Sequence, residues 1–184
     1  SATNNTVGST STISVGAIEG ITSGTVSLQA NGYIQIGDLS LNGGDGEINM
    51  KPNVSLSLSA LAGGSGHSFL PSANTYGGIE FVNSANGITA TGTGSVSLTG
   101  GNSVNKGQTA VDANAKTLNV GHISTEAGNI TLKGSDGLEV KGNLTTQSGN
   151  ISLDGDSDQG GVGFLNVTSS FKTNSGAVTL KGGN

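Results

Sequence analysis

The chain has 184 residues, of which 33 are Gly, 25 Ser, 20 Thr and 19 Asn, and its formal net charge is −5. These four residue types make up just over half of the sequence and disfavour helix, because Gly loses the most backbone entropy on ordering and the other three compete for backbone hydrogen bonds. Seven Lys, no Arg and no Cys argue against phosphate neutralisation on nucleic acid, a disulfide framework or a thiolate nucleophile, and no run of about 18 apolar residues is present to enter a membrane.

Apolar residues alternate with polar ones in short runs bounded by glycine, the pattern of brief strands. In chain order, Ile13 and Ile18 read as the second and third strands of a repeat. Val26-Ser27-Leu28 then reads as a first strand, Ile34-Gln35-Ile36 as a second and Leu39 as a third. Ile48-Asn49-Met50 reads as the next first strand and Leu56-Ser57-Leu58 as its second, and a weaker first strand at Phe69 falls inside an irregular insertion over 61–78. After Val96-Ser97-Leu98 comes a more polar insertion, 102–116, followed by Leu118 and Ile123. The clearest copies close the chain: Ile130-Thr131-Leu132, Leu138-Glu139-Val140 and Leu144, then Ile151-Ser152-Leu153, a third insertion over 154–163, Leu165, Phe171 and Val178-Thr179-Leu180.

Val26 to Ile34, Ile48 to Leu56 and Ile130 to Leu138 are each a step of 8 residues, and Leu138 to Ile151 and Leu165 to Val178 are each 13. Strands this short cannot bury an apolar face alone, whereas one turn of chain per repeat, stacked on the next, pairs each strand with its copies. The expected fold is all-β: a single right-handed three-sided parallel β-helix, or solenoid, over residues 1–184, with about 21 residues per coil lengthened by the three insertions. Right-handedness follows from the strong bias of parallel crossovers. Ile130, Leu132, Ile151, Leu153, Val178 and Leu180 should point inward, and Ser27, Asn49, Ser97, Thr131, Ser152 and Thr179 should form an outward row. The sequence stops after one first strand, so the chain is also expected to be part of a longer array.

The copies Gly128-Asn129-Ile130-Thr131-Leu132-Lys133-Gly134, Gly149-Asn150-Ile151-Ser152-Leu153-Asp154-Gly155 and Gly176-Ala177-Val178-Thr179-Leu180-Lys181-Gly182 resemble the repeats of filamentous haemagglutinin-like exoproteins and of autotransporter adhesin passengers. The resemblance is best over 118–182 and looser over 13–98. It implies a secreted, cell-surface β-helix rod, exported through an outer-membrane transporter and used in adhesion, virulence or biofilm formation, with a host-cell or bacterial surface receptor or a glycan as partner. The N-terminal secretion domain of two-partner-secreted members is not evident.

Candidate sites are few. Asp154, Asp156 and Asp158 alternate as in a calcium loop, but Gln159 and Leu165 stand where an EF-hand needs Gly and Glu, so calcium is a weak possibility and no cofactor is expected. His67, Phe69 and Tyr76 concentrate aromatic character in the 61–78 insertion, and exposed loop aromatics make good anchors. No catalytic group is expected: Glu80 and Glu139 lie far apart in sequence, and His122 has no Ser-and-Asp constellation beside it. The reading is a rod or adhesin segment rather than an enzyme. The alternatives are a carbohydrate-active β-helix lyase or hydrolase, or a purely structural filament segment.

Overall fold

A computed structural model describes residues 11–30, 34–60, 78–101, 118–135, 137–157, 159 and 163–183. The described chain is all-β apart from one short helix, α1 (Val15–Glu19), and a single 3-10 turn at Leu41–Gly43. Its strands fall into three sheets, every one wholly parallel. Sheet A holds β1 (Thr25–Ala30), β4 (Ser55–Ala60), β7 (Val96–Gly100), β10 (Ile130–Gly134), β13 (Ile151–Asp154) and β16 (Val178–Lys181). Sheet B holds β2 (Ile34–Ile36), β5 (Ile79–Phe81), β8 (Leu118–Val120), β11 (Leu138–Val140) and β14 (Leu165–Val167). Sheet C holds β3 (Glu47–Met50), β6 (Gly87–Ala90), β9 (His122–Thr125), β12 (Leu144–Thr146) and β15 (Phe171–Thr173). The chain visits A, B and C in unbroken rotation, and each strand pairs only with strands one circuit before or after it. This organisation is compatible with a parallel β-helix.

One apolar cluster draws on all three sheets. In sheet A the register aligns Val26, Leu56, Val96, Ile130, Ile151 and Val178 in one row, and Leu28, Leu58, Leu98, Leu132, Leu153 and Leu180 in another. The inward expectation holds for Ile130, Leu132, Ile151 and Leu153, which are essentially inaccessible. Burying a side chain of this size contributes about 1.5–3 kcal/mol. Val178 and Leu180 share those rows but are 43% and 51% exposed, because β16 is the last strand of its sheet.

Several register assignments need correction. Ile48 belongs to sheet C, not to the first-strand sheet, and Leu56 is the first strand of the second circuit. The step from Ile48 to Leu56 therefore runs from a third strand to a first one. It equals the first-to-second step elsewhere, and an apolar-polar-apolar triplet carries no mark of the sheet it joins. Leu39 lies in a turn, Ile18 sits in α1 and Ile13 is in no strand. The outward row of sheet A has Ser57 where Asn49 was expected, and Asn49 aligns instead with Thr89, Ser124, Thr145 and Lys172. The spacing between circuits at the start of sheet A is 40, 34, 21 and 27 residues from β4 onward, so only one circuit has the basic length.

The connection from sheet C to sheet A is closely stacked. Thr125 Oγ1 donates to the Gly128 carbonyl, and the Gly149 and Gly176 N–H groups donate to Thr146 and Thr173 Oγ1 at 2.9 and 2.8 Å. Beside this hydroxyl column runs a glycine column. A Cβ on Gly128, Gly149 or Gly176 would stand 1.8, 1.9 or 1.8 Å from the carbonyl oxygen of the glycine one circuit earlier. Just outside it, Ser55, Ser95, Asn129 and Asn150 each accept the backbone N–H of the next circuit through their side chains, at 2.8–3.0 Å. Gly149→Ala is expected to destabilise the fold by at least about 2 kcal/mol, because backbone must shift to admit the methyl. Gly16→Ala, in α1 with nothing within 4 Å of the new atom, should instead stabilise by roughly 0.5–1 kcal/mol. Urea unfolding of both variants checks the opposite signs.

Candidate functional site

All three insertions read from the sequence occupy equivalent positions in the circuit. Residues 61–78 connect β4 to β5, 102–116 connect β7 to β8, and 154–163 connect β13 to β14, each time from sheet A to sheet B. His67, Phe69, Tyr76 and Asp158 lie outside the described residues, as do most of the 61–78 and 102–116 segments. The shared placement nevertheless makes the boundary between sheets A and B, with the outer face of sheet B beside it, the first candidate surface.

The outer row of sheet B aligns Gln35, Glu80, Asn119, Glu139 and Asn166. Glu80 and Glu139, distant in sequence, are thus two strands apart on one face, about 9–10 Å at the ladder spacing. Gln35 Nε2 donates to Glu80 Oε2 at 3.4 Å, and Asn166 Nδ2 donates to Glu139 Oε1 at 3.3 Å. Glu139 is buried, and its Oε2 lies 3.3 Å from Lys141 Nζ. The lysine offsets the cost of burying the carboxylate.

Sheet C carries a second constellation that sequence spacing concealed. His122 Nε2 lies 2.8 Å from Glu47 Oε1, across the whole width of β6. The intervening residue is Gly87, where a Cβ would come 2.0 Å from His122 Nε2, so the glycine opens the notch through which the imidazole reaches. Thr89 Oγ1 donates to the second oxygen of Glu47. An ionised carboxylate can only accept, so Nε2 carries the hydrogen of the pair. Glu47 and His122 are 75 residues apart. His122 has no Ser-and-Asp constellation in the neighbouring sequence, but it has a carboxylate partner from a distant segment, since register in a repeating sheet brings together what spacing separates. The legible signal was the Gly87 that interrupts an otherwise polar outward row.

Asp154 and Asp156 sit where the third insertion leaves β13. Asp154 Oδ2 accepts from Lys181 Nζ at 3.1 Å, and Oδ1 accepts the Asp156 N–H at 3.1 Å. The expected alignment of Lys133, Asp154 and Lys181 in successive circuits is present in the register. With Asp154 committed to a lysine and to its own turn, the described part of the loop is an ion pair rather than an open set of ligands. Among the described residues no group of three or more His, Asp or Glu side chains is placed to hold a metal ion. In the turn after β2, the Ser40 hydroxyl and N–H both donate to Asp38 and hold its carboxyl below the usual range.

Comparison with known proteins supplies no counterpart: no protein family, curated protein or solved structure matches the chain.

Two substitutions test the geometry. Asp154→Lys places three lysines in line and should lower stability by roughly 0.2–1 kcal/mol at low salt, with a smaller effect at high salt. Salt-independent melting temperatures would contradict this. Gly87→Ala should swing the His122 ring off Glu47 at a cost of roughly 0.5–1 kcal/mol, and unchanged His122 ring resonances in an NMR spectrum would refute the contact.

Proposed function

We propose that this chain is a rod segment of a secreted, surface-displayed exoprotein, built as a right-handed three-sided parallel β-helix and serving in attachment to a receptor or glycan. The strict rotation through three parallel sheets supports the architecture, and right-handed crossovers are the overwhelming rule for parallel strands. The observation that carries the function is the gathering of all three insertions at the sheet A to sheet B connection. A stiff ladder that sends these three insertions out along one boundary concentrates variable contacts there, as loops on rigid scaffolds commonly do. The polar outer faces, short of charge and free of Arg, suit hydroxyl-rich partners better than anionic ones.

A carbohydrate-active enzyme is the second reading, favoured by the placement of Glu80 and Glu139 on one face near the separation used by inverting glycoside hydrolases. One set of measurements distinguishes the two. Binding on a glycan array or to cell surfaces, lost when 61–77 and 102–116 are replaced by short Gly-Ser links, is the expected result. Reducing-end release from polysaccharides that disappears in Glu139→Gln would favour the enzyme. Undiminished binding after both loop replacements would overturn the proposal that the insertions carry attachment.

A further inference from the structure

On the outer face of sheet B, one carboxyl group joins a lysine to an amide from the next circuit. Glu139 on β11 and Lys141 just after it lie on the same side of an extended chain, and Asn166 on β14 stands opposite Glu139. Glu139 Oε2 lies 3.3 Å from Lys141 Nζ, while Asn166 Nδ2 donates to Oε1 at 3.3 Å. The two oxygens of one side chain thus serve two different nitrogens. The carboxyl is nearly inaccessible, with 9% of the Glu139 side chain exposed against 40% of Lys141. The ion pair of Lys181 and Asp154 differs in chemistry, because its lysine meets a carboxylate and the Asp156 carbonyl but no side-chain amide.

Passing a proton from Nζ to Oε2 removes both charges from this buried place, where an ionised carboxyl is costly. It also frees the electron pair of the amine. A neutral amine is a nucleophile, and the Asn166 amide carbon is an electrophile whose leaving group is ammonia. Glu139 touches both nitrogens and is placed to serve one as general base and the other as general acid. The register holds all three groups together, which turns a bimolecular aminolysis into an intramolecular one.

We propose that Lys141 and Asn166 are the two ends of a self-formed isopeptide cross-link, with Glu139 as its catalytic residue. The Nζ ammonium gives one proton to Glu139 Oε2, and the freed pair on Nζ attacks Asn166 Cγ. As the Nζ–Cγ bond forms and the Cγ–Nδ2 bond breaks, a second Nζ proton passes to Nδ2 through the carboxyl, and ammonia departs. The new amide keeps one hydrogen on Nζ. The departing ammonia carries off the first proton as ammonium, which returns Glu139 to the carboxylate. No oxidant, reductant or cofactor enters. The link ties successive circuits together across the β13–β14 connection, where the third insertion leaves the frame. The β11–β14 ladder that it spans is three residue pairs long, so a covalent tie there resists the peeling of a circuit that carries a projecting loop.

Intact-mass spectrometry of the 184-residue chain, held folded at neutral pH, tests this. The mass should fall below that of the sequence by one ammonia, and a protease digest should yield a branched peptide joining the Lys141 and Asn166 segments. Asn166→Ala and Lys141→Arg should each keep the mass of their own sequence, and Glu139→Gln should form the link about a hundredfold more slowly. Amide exchange at β11 and β14 shows whether a variant retains the pairing. Should Glu139→Gln lose it, Glu139→Asp, which keeps the charge and withdraws the carboxyl, is read in its place. Full mass in a parent with β11 and β14 protected overturns the proposal. So does a loss of ammonia that survives Asn166→Ala, or a digest without the branched peptide. Full mass in a parent whose β11 and β14 amides exchange at once refutes the register that gathers the three groups, and the cross-link with it.

Discussion

Among the described residues, no strand has a partner in its own circuit. Every backbone bond that makes a sheet is made to the chain one circuit away, and Leu56, Val96, Ile130 and Ile151 each donate an N–H at 2.9 Å to the carbonyl of the residue preceding the next strand in sheet A. Stability is therefore a property of neighbouring circuits together, as in other repeat architectures. The glycine column at the sheet C to sheet A connection follows from the same constraint: circuits stacked at ladder spacing bring backbone onto backbone at the corner, and there is no room for a Cβ. The Thr and Ser/Asn columns beside it satisfy the polar groups which that close approach would otherwise strand.

The alternation of apolar and polar residues made the strands legible, and the glycine-bounded copies after Leu118 made their order legible too. There the repeat is nearly regular, and Ile130, Leu138, Leu144, Ile151, Leu165, Phe171 and Val178 all fall in the expected sheets. The earlier half was harder because its circuits are longer and the three sheets share one strand pattern. Ile48 and Leu56 were shifted by one position in the cycle for that reason. The strands β5 and β6 follow a long insertion that breaks the rhythm, so spacing alone does not reveal them. Helix α1 was hidden because its single buried residue, Ile18, arrives on the beat expected of a third strand.

The polar clusters were less legible than the strands. Glu47 and His122 meet because two circuits of different length bring them into register, and neither length follows from the residues themselves. Glu80 and Glu139 are aligned by the same mechanism. Asp154, by contrast, was readable, since its partner Lys181 occupies the same place in the clearest copies of the repeat. Pairings along the ladder can be read wherever the repeat is regular, and only there.

The sheet A to sheet B connection is long in most circuits but not in all: between β10 and β11 only residues 135–137 intervene. The pairing of β10 with β7 and β13 is the same on either side of this short crossing as it is beside the long ones. Closing a longer loop costs only a logarithm of its length, so this boundary behaves as a row of sockets whose contents can be exchanged independently. The vacant socket between Gly134 and Leu138 is where a foreign peptide could be grafted and displayed in line with the natural loops, without altering the hydrogen-bonded frame that carries it.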